Sequence, residues 1–270
     1  MKEHDLEDLQ VGQGCIDCHA DGHQLIMRIN RPEKRNGFTP AMAVELAKAY
    51  TRLEDDAELR VGVLCAEGDH FTGGLDLPQW ADAMKEGRSM WPSECIDPLD
   101  LRPPRRSKPV VAAVQGICYT LGIELMLAAD MVVAAENCRF SQLEVKRGIM
   151  ATGGATVRMA ERAGTGTALY HLLVAGEFGA QEALRAGYVQ EVVEASRVFA
   201  RACELAAAIA ANAPQAVIAT RRNVLLSVEE GRERAIALFR SEQARLSASE
   251  DAAEGIASFK ERRPAQFTGK

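Results

Sequence analysis

Apolar and polar positions along the chain follow two periods, and each period predicts a different element. The run Val110–Val114 is too short for a helix and rich in β-branched residues, which is typical of a strand buried on both faces. After Gly116 the spacing becomes helical from Leu121 to Ala128. The pattern therefore predicts a buried strand, a glycine turn and a core helix, and the first turn of that helix carries Glu124.

Glu124 has two interpretations. An acidic side chain in the first turn of a helix is favoured by the helix dipole by roughly 0.3–1 kcal/mol. A carboxylate in a helix packed into the core is also what a catalytic residue at the floor of a cleft would look like. The pattern alone leaves both interpretations open.

The rest of the chain alternates in the same way. Strand, glycine turn, helix and strand recur, which indicates parallel pairing in an α/β core with crossover helices. From about residue 195 only helical spacing remains. We therefore predict an α/β core over residues 1–194 and a helical C-terminal region over residues 195–270. The elements predicted within the core are a hairpin of 15–20 and 23–29, a helix opened by Thr39, a strand over 61–65, loop and short helix over 78–107, a strand over 131–135, a strand at or beside Phe140, and a glycine loop over 148–155 before a helix.

Composition and charge exclude several classes of protein. The 270 residues are 47% apolar and 26% charged, as in ordinary soluble globular domains. A net charge of −6 without a long basic cluster argues against binding to nucleic acid. Charged and polar residues interrupt the apolar stretches, which argues against a membrane span. The N-terminal residues contain no secretory signal, so we expect a cytoplasmic protein with reduced thiols at its seven cysteines.

The motif Cys15-Ile16-Asp17-Cys18-His19 matches the attachment sequence of c-type haem and could also suggest zinc. Haem attachment of this kind needs an exported protein, and zinc needs a second pair of ligands. The same residues form half of the predicted hairpin, closed by Asp21-Gly22. We therefore expect neither haem nor a metal here.

Four segments stand in a specific order and spacing, although each alone is a weak signal. Together they resemble the crotonase (enoyl-CoA hydratase/isomerase) superfamily, and the resemblance covers nearly the whole chain. The C-terminal residues 259–264 also resemble the closing helix of that family. The four segments are Asn30-Arg31-Pro32 with Asn36, residues 71–77 (FTGGLDL), residues 108–130, and residues 140–142 (FSQ) with Glu144 and Gly148.

The resemblance implies a fold and a reaction. The fold would be a spiral of β-β-α units with a helical C-terminal region through which trimers pair into hexamers. The reaction would add water to a 2-enoyl-CoA through an enolate of the thioester. Backbone N–H groups of Leu75 and Leu121 would stabilise the thioester oxygen. By motif position, Glu124 would activate water and Glu144 would deliver the proton, with a pKa raised by apolar walls.

The resemblance also implies how coenzyme A is held. CoA would enter as part of an acyl-CoA thioester substrate, with no further cofactor and no metal. Large side chains at Trp80, Trp91, Tyr119 and Met150 are candidates for the acyl pocket, although large apolar residues more often belong to the ordinary core. Lys34, Arg35 and Arg262 could meet phosphates, Arg262 from a neighbouring subunit, or could be solvated cations. The full predicted set of CoA-binding residues is Lys34, Arg35, Gly73, Gly74, Leu75, Asp76, Leu121, Phe259 and Arg262.

The sequence departs from the family pattern in two places. Where the family usually has a cluster of glycines, this chain has the segment Tyr119–Ile123, in which Gly122 is the only glycine. Where the family usually has a Pro-Gly pair, this chain has Ala151-Thr152. These changes leave open double-bond isomerisation, another enolate reaction on an acyl-CoA, or a non-catalytic acyl-CoA-binding relative. Retention of both Glu124 and Glu144 argues against the non-catalytic alternative.

Overall fold

Six strands form the main sheet of the protein, whose computed structural model describes residues 13–270. The sheet has the order β1-β2-β3-β4-β6-β9. The first pair is antiparallel and the remaining neighbours are parallel. Residues 1–12 lie outside the described residues. They make up most of the N-terminal segment for which the sequence predicts no secretory signal. The strands are β1 (Cys15–Asp21), β2 (Gln24–Asn30), β3 (Val61–Ala66), β4 (Val110–Val114), β5 (Ile117–Tyr119), β6 (Met131–Ala135), β7 (Arg139–Ser141), β8 (Phe178–Gly179) and β9 (Glu191–Val193).

Strands β5, β7 and β8 form a second, small sheet. β4 and β6 of the main sheet are each followed directly by a strand of the small sheet, as in a spiral of β-β-α units. The helices are α1 (Pro40–Asp55), α2 (Leu77–Lys85), α3 (Leu121–Ala128), α4 (Ala155–Val174), α5 (Ala180–Arg185), α6 (Val198–Ala210), α7 (Pro214–Glu229), α8 (Arg232–Ala237), α9 (Phe239–Ser247) and α10 (Glu250–Glu261).

The longer elements agree with the prediction from periodicity. The hairpin and the parallel pairing of the core are confirmed. Thr39 caps α1 as expected, because its hydroxyl accepts a hydrogen bond from the backbone N–H of Met42 at 3.2 Å. Strand β5 was not predicted, because three residues between Gly116 and α3 are too few to show a period.

The core lies between the main sheet and its covering helices. All five residues of β4 and all eight of α3 are buried, so α3 has no solvent-exposed face. Helix α6 packs against β2, β3, β4 and β6. The division of the chain at residue 195 stays a prediction, and the first helix of the predicted C-terminal region covers the sheet of the core.

Helix α7 is fixed to the core by buried ion pairs. Arg221 binds Asp130 at 2.8 Å and Asp100 at 3.2 Å, and Arg106 binds the other oxygen of Asp130 at 2.6 Å. Burial alone would raise the pKa of Asp130, but the two guanidinium groups outweigh it and hold that pKa below its usual value. The helical region therefore docks on its own core through charge as well as apolar contact.

No single helix within residues 13–270 is long and apolar enough to cross a membrane; residues 195–210 and α7 reach that length and composition together, across a bend of 107°.

Candidate active site

Two loops meet beside the small sheet and are joined by backbone hydrogen bonds. The N–H of Thr72 donates to Ile117 at 3.1 Å, and the N–H of Tyr119 donates back to Thr72 at 3.0 Å. The Thr72 hydroxyl donates to the carbonyl of Asn36 at 2.6 Å. Because β5 leads directly into α3, these bonds fix the glycine loop against the start of that helix.

The backbone N–H groups of Leu75 and Leu121 have no hydrogen-bond partner within the described part of the chain. The residues on either side of Leu75 bond to Phe38 instead. The N–H of Phe38 donates to the carbonyl of Gly74, and the N–H of Asp76 donates to the carbonyl of Phe38, both at 2.9 Å. Leu121 is the first residue of α3, where N–H groups have no partner inside the helix. Both predicted donors are therefore available to a ligand.

Glu124 is 6% exposed and lies one turn further along α3. Its Oε1 accepts a hydrogen bond from the N–H of Gly153 at 2.6 Å. Burial, together with the nearby charge of Glu144, raises the pKa of Glu124 from 4.5 to about 7. Hydrogen bonds from the backbone and the charge of Arg158 oppose that rise without cancelling it.

Glu144 opens a 3-10 turn that follows β7, and its side chain is half-buried. Its Oε2 is buried and has no hydrogen-bond partner among residues 13–270. Burial raises its pKa above the ordinary value, as predicted for this residue. The rise at Glu124 is large enough to bring its pKa close to neutrality, which the sequence did not indicate.

One cavity of about 780 Å³ brings these groups together. Three of the four side chains predicted for the acyl pocket also line it, namely Trp80, Trp91 and Met150. The fourth, Tyr119, directs its hydroxyl to the carboxylate of Glu177 instead. The predicted catalytic residues that line the cavity are Leu75, Leu121, Glu124 and Glu144.

The predicted CoA contacts divide into two groups. Gly73 lines the cavity, and its N–H donates to the carbonyl of Arg35 at 2.8 Å, so Arg35 lies beside the cavity loop. Lys34 and Arg35 are exposed on the turn after β2. Asp76 forms an ion pair with Arg31 at 2.7 Å. Its assignment as a CoA contact stays a prediction.

Phe259 and Arg262 lie at the end of α10, both exposed, with Phe259 85% exposed. Neither lines the cavity of the same chain. Their predicted role concerned the CoA of a neighbouring subunit, and it stays a prediction.

Two residues of the site were not predicted from the sequence. Gly153 donates to Glu124, and a Cβ built on it would lie 2.2 Å from Glu124 Oε2, so only glycine leaves room for this carboxylate. Thr120 lines the cavity with φ 49 and ψ −114, a conformation typical of glycine. Two features of the sequence could have indicated these residues. One is the pair of adjacent glycines at 153 and 154, and the other is the position of Thr120 in the segment where the family usually has glycines.

The Cys15–Cys18–His19 motif lies on β1, away from the cavity. Cys15 Sγ is 3.4 Å from the carboxylate of Asp17, and burial together with that carboxylate raises the pKa of the thiol to about 11. All seven cysteines are free thiols. No cluster of three or more His, Cys, Asp or Glu side chains suited to a metal occurs within residues 13–270.

A family model described as enoyl-CoA hydratase/isomerase matches residues 23–270. The chain belongs to the enoyl-CoA hydratase/isomerase family. This confirms the resemblance drawn from the four sequence segments, and the crotonase-like fold with it. The family assignment also agrees with an enzyme that acts on an acyl-CoA.

Named relatives of the family cover most of the chain. Mevalonyl-coenzyme A hydratase sidH of Aspergillus fumigatus is 35% identical over 262 residues, 94% of this chain and 95% of the relative. Enoyl-CoA hydratase EchA19 of Mycobacterium tuberculosis is 32% identical over 254 residues, 92% and 94% of the two chains. A crystal structure of a probable enoyl-CoA hydratase/isomerase from Mycobacterium abscessus has a TM-score of 0.91 at 43% identity, covering 94% of this chain and 98% of that one.

Proposed function

We propose that the protein hydrates the double bond of a 2-enoyl-CoA thioester. The observation that carries the proposal is the pair Glu124 and Glu144, two electrostatically coupled carboxyl groups on one cavity. Hydration needs one group to accept a proton from water and one to supply a proton to the substrate. A coupled pair of carboxyl groups provides both.

The charges of the pair favour a state with a single proton. Two carboxylates that share a site cannot both ionise without strong repulsion, so one of them holds a proton at higher pH than usual. Burial is the larger cause of the raised pKa at Glu124 and the only one that raises the pKa of Glu144. Near neutral pH the pair then carries one proton and one negative charge, which is the state that acid and base chemistry together require.

The reaction follows from that state. The ionised carboxylate takes a proton from water as the water oxygen bonds to the β-carbon, and the electrons of the double bond move onto the thioester as an enolate. The protonated carboxyl group then gives its proton to the α-carbon, and the carbonyl of the thioester re-forms. One proton has entered the pair and one has left it, so the pair again holds a single proton, now on the carboxyl group that activated water. That proton must move to the other carboxyl group before the next cycle. By position in the motif we assign water activation to Glu124 and α-protonation to Glu144. Because the pKa of Glu124 is about 7, the single proton rests mainly on Glu124 in the free protein. The reactive form, with Glu124 ionised and Glu144 protonated, arises when that proton moves within the pair.

The enolate carries its negative charge on the thioester oxygen. In our proposal that oxygen lies between the N–H groups of Leu75 and Leu121, which are fixed before the substrate arrives. The partial positive charge at the start of α3 adds to the second donor. Donors of this kind typically lower the barrier by about 3 kcal/mol each.

The proposal is tested by following the loss of enoyl absorbance of crotonyl-CoA. We expect hydration by the wild type and a fall in kcat on the order of 10²- to 10⁴-fold in Glu124→Gln and in Glu144→Gln. Glu136→Gln, an exposed glutamate just after β6, is the matched control. Equal rates in the wild type and both active-site variants would refute the proposal.

The same experiment separates hydration from isomerisation. A 3-enoyl-CoA is offered as a second substrate, and its conversion to the conjugated 2-enoyl isomer appears as a gain of enoyl absorbance. Isomerisation moves a proton within the substrate and adds no water. Gain of absorbance from the 3-enoyl-CoA without loss from crotonyl-CoA would therefore favour isomerisation over hydration.

We also propose that the protein assembles as a homotrimer or a hexamer through its C-terminal helices. Apolar side chains that are exposed on α7 to α10 support this: Val224, Val228, Ile236, Phe239, Ile256 and Phe259. Light scattering coupled to size-exclusion chromatography would give three or six times the mass of one chain. A mass of 29.3 kDa, that of one chain, would contradict the proposal.

A further inference from the structure

The Thr120 hydroxyl lies between the two loops that carry the predicted donors. A Cβ built on Gly74 would fall only 2.0 Å from Thr120 Oγ1, so the hydroxyl fills the space that a side chain at position 74 would need. Gly74 precedes Leu75, and Thr120 precedes Leu121. The hydroxyl therefore belongs to the residue before one donor residue and lies against the residue before the other.

This hydroxyl is available to a ligand. The Thr120 side chain is half-buried and lines the same cavity as Glu124 and Glu144. Its Oγ1 has no hydrogen-bond partner within residues 13–270, and it makes no capping bond to α3. A threonine hydroxyl carries one donor proton that can rotate to suit an acceptor.

The backbone of Thr120 gives independent support. Its φ of 49 and ψ of −114 lie in a region that β-branched residues rarely adopt and that glycine adopts freely. Glycine would hold the two loops in the same geometry without strain. Strained residues of this kind cluster at functional sites.

We propose that the Thr120 hydroxyl donates a third hydrogen bond to the thioester oxygen, beside the N–H groups of Leu75 and Leu121. This rests on the proposed function only in taking a CoA thioester as the ligand. The third donor strengthens as negative charge develops on that oxygen, so it acts on the transition state more than on substrate binding.

The test measures polarisation of the carbonyl separately from catalysis. The probe is para-dimethylaminocinnamoyl-CoA, whose conjugated chromophore absorbs at longer wavelength as its thioester oxygen becomes more strongly hydrogen-bonded. We expect a red shift on binding to the wild type, a smaller one in Thr120→Val and Thr120→Gly, and recovery in Thr120→Ser. Thr220→Val, at an exposed position of α7, is the matched control.

With crotonyl-CoA we expect kcat to fall on the order of 100-fold in Thr120→Gly and Thr120→Val, with little change in KM. Thr120→Gly relieves the strained backbone, so its melting temperature should not fall below that of the wild type. An undiminished red shift and kcat in Thr120→Gly would overturn the third donor and leave the hydratase function standing. A red shift that depends on Thr120, in a protein that hydrates no enoyl-CoA, would support the third donor and refute the hydratase function.

Discussion

Replacing Glu124 by glutamine should stabilise the protein increasingly as the pH rises from 4.5 to about 7. The folded protein raises the pKa of this carboxyl group from 4.5 to about 7. The group therefore ionises in the unfolded chain about 2.5 pH units before it ionises in the fold. Its contribution to stability is fully present below pH 4.5 and is lost as the pH rises to about 7.

The shift gives the expected size of the effect. At 1.36 kcal/mol per unit, a shift of about 2.5 units corresponds to a loss of about 3 kcal/mol. Glutamine carries no charge and can still accept the hydrogen bond from Gly153. Glu124→Gln should then be more stable than the wild type by up to about 3 kcal/mol at about pH 8 and by less than about 1 kcal/mol at about pH 5.

The assay is urea denaturation at those two pH values and at one fixed protein concentration, because self-association shifts apparent stability. Glu191→Gln is a control of opposite sign, since a hydrogen bond from Arg201 lowers the pKa of Glu191. That variant should lose stability at both pH values, because a lowered pKa stabilises the fold above the ordinary value of 4.5. A stability difference for Glu124→Gln that does not change with pH, or that favours the wild type at about pH 8, would refute the reasoning.

Two further substitutions test the support of the site and the docking of α7. Gly153→Ala should lower kcat on the order of 100-fold with little change in melting temperature, because the new Cβ displaces the Glu124 carboxylate. Gly166→Ala, at an exposed position of α4 with open space around it, should leave kcat unchanged. Steady-state kinetics and calorimetry measure this pair, and full activity in Gly153→Ala would contradict it. Arg221→Met should cost about 3 kcal/mol in urea denaturation, because it leaves the buried Asp100 without its ion-pair partner and leaves Asp130 with Arg106 alone. The exposed Arg222→Met should cost less than about 0.5 kcal/mol. Equal midpoints for the two arginine variants would show that the buried ion pairs do not hold α7.

The sequence predicts the long elements well because their periods extend over several residues. The five-residue run Val110–Val114 and the cap at Thr39 are local signals, and both elements form as predicted. Strand β5 and β9 have three residues each, so their identity depends on pairing with distant strands rather than on their own pattern. The position of α6 against the sheet likewise depends on tertiary packing, which a helical period does not specify.

The candidate site was predictable where it follows a motif. Leu75, Leu121, Glu124 and Glu144 come from segments of defined order, and one cavity brings them together. The strength of the pKa shift at Glu124 was not predictable, because it depends on burial in α3 and on the distance to a carboxylate about twenty residues away. The backbone conformation of Thr120 was not predictable either, because the neighbouring loops impose it and the local sequence does not favour it.

The pH dependence of kcat/KM for crotonyl-CoA tests the central claim most directly. A pair that works with one shared proton should give a bell-shaped profile, whose alkaline limb falls as the pH rises through the pKa of about 7 at which the pair loses that shared proton. Residual activity of Glu124→Gln should lack that limb. A rate that keeps rising through this range, as expected of a single carboxylate base, or that is the same with and without Glu124, would contradict the account.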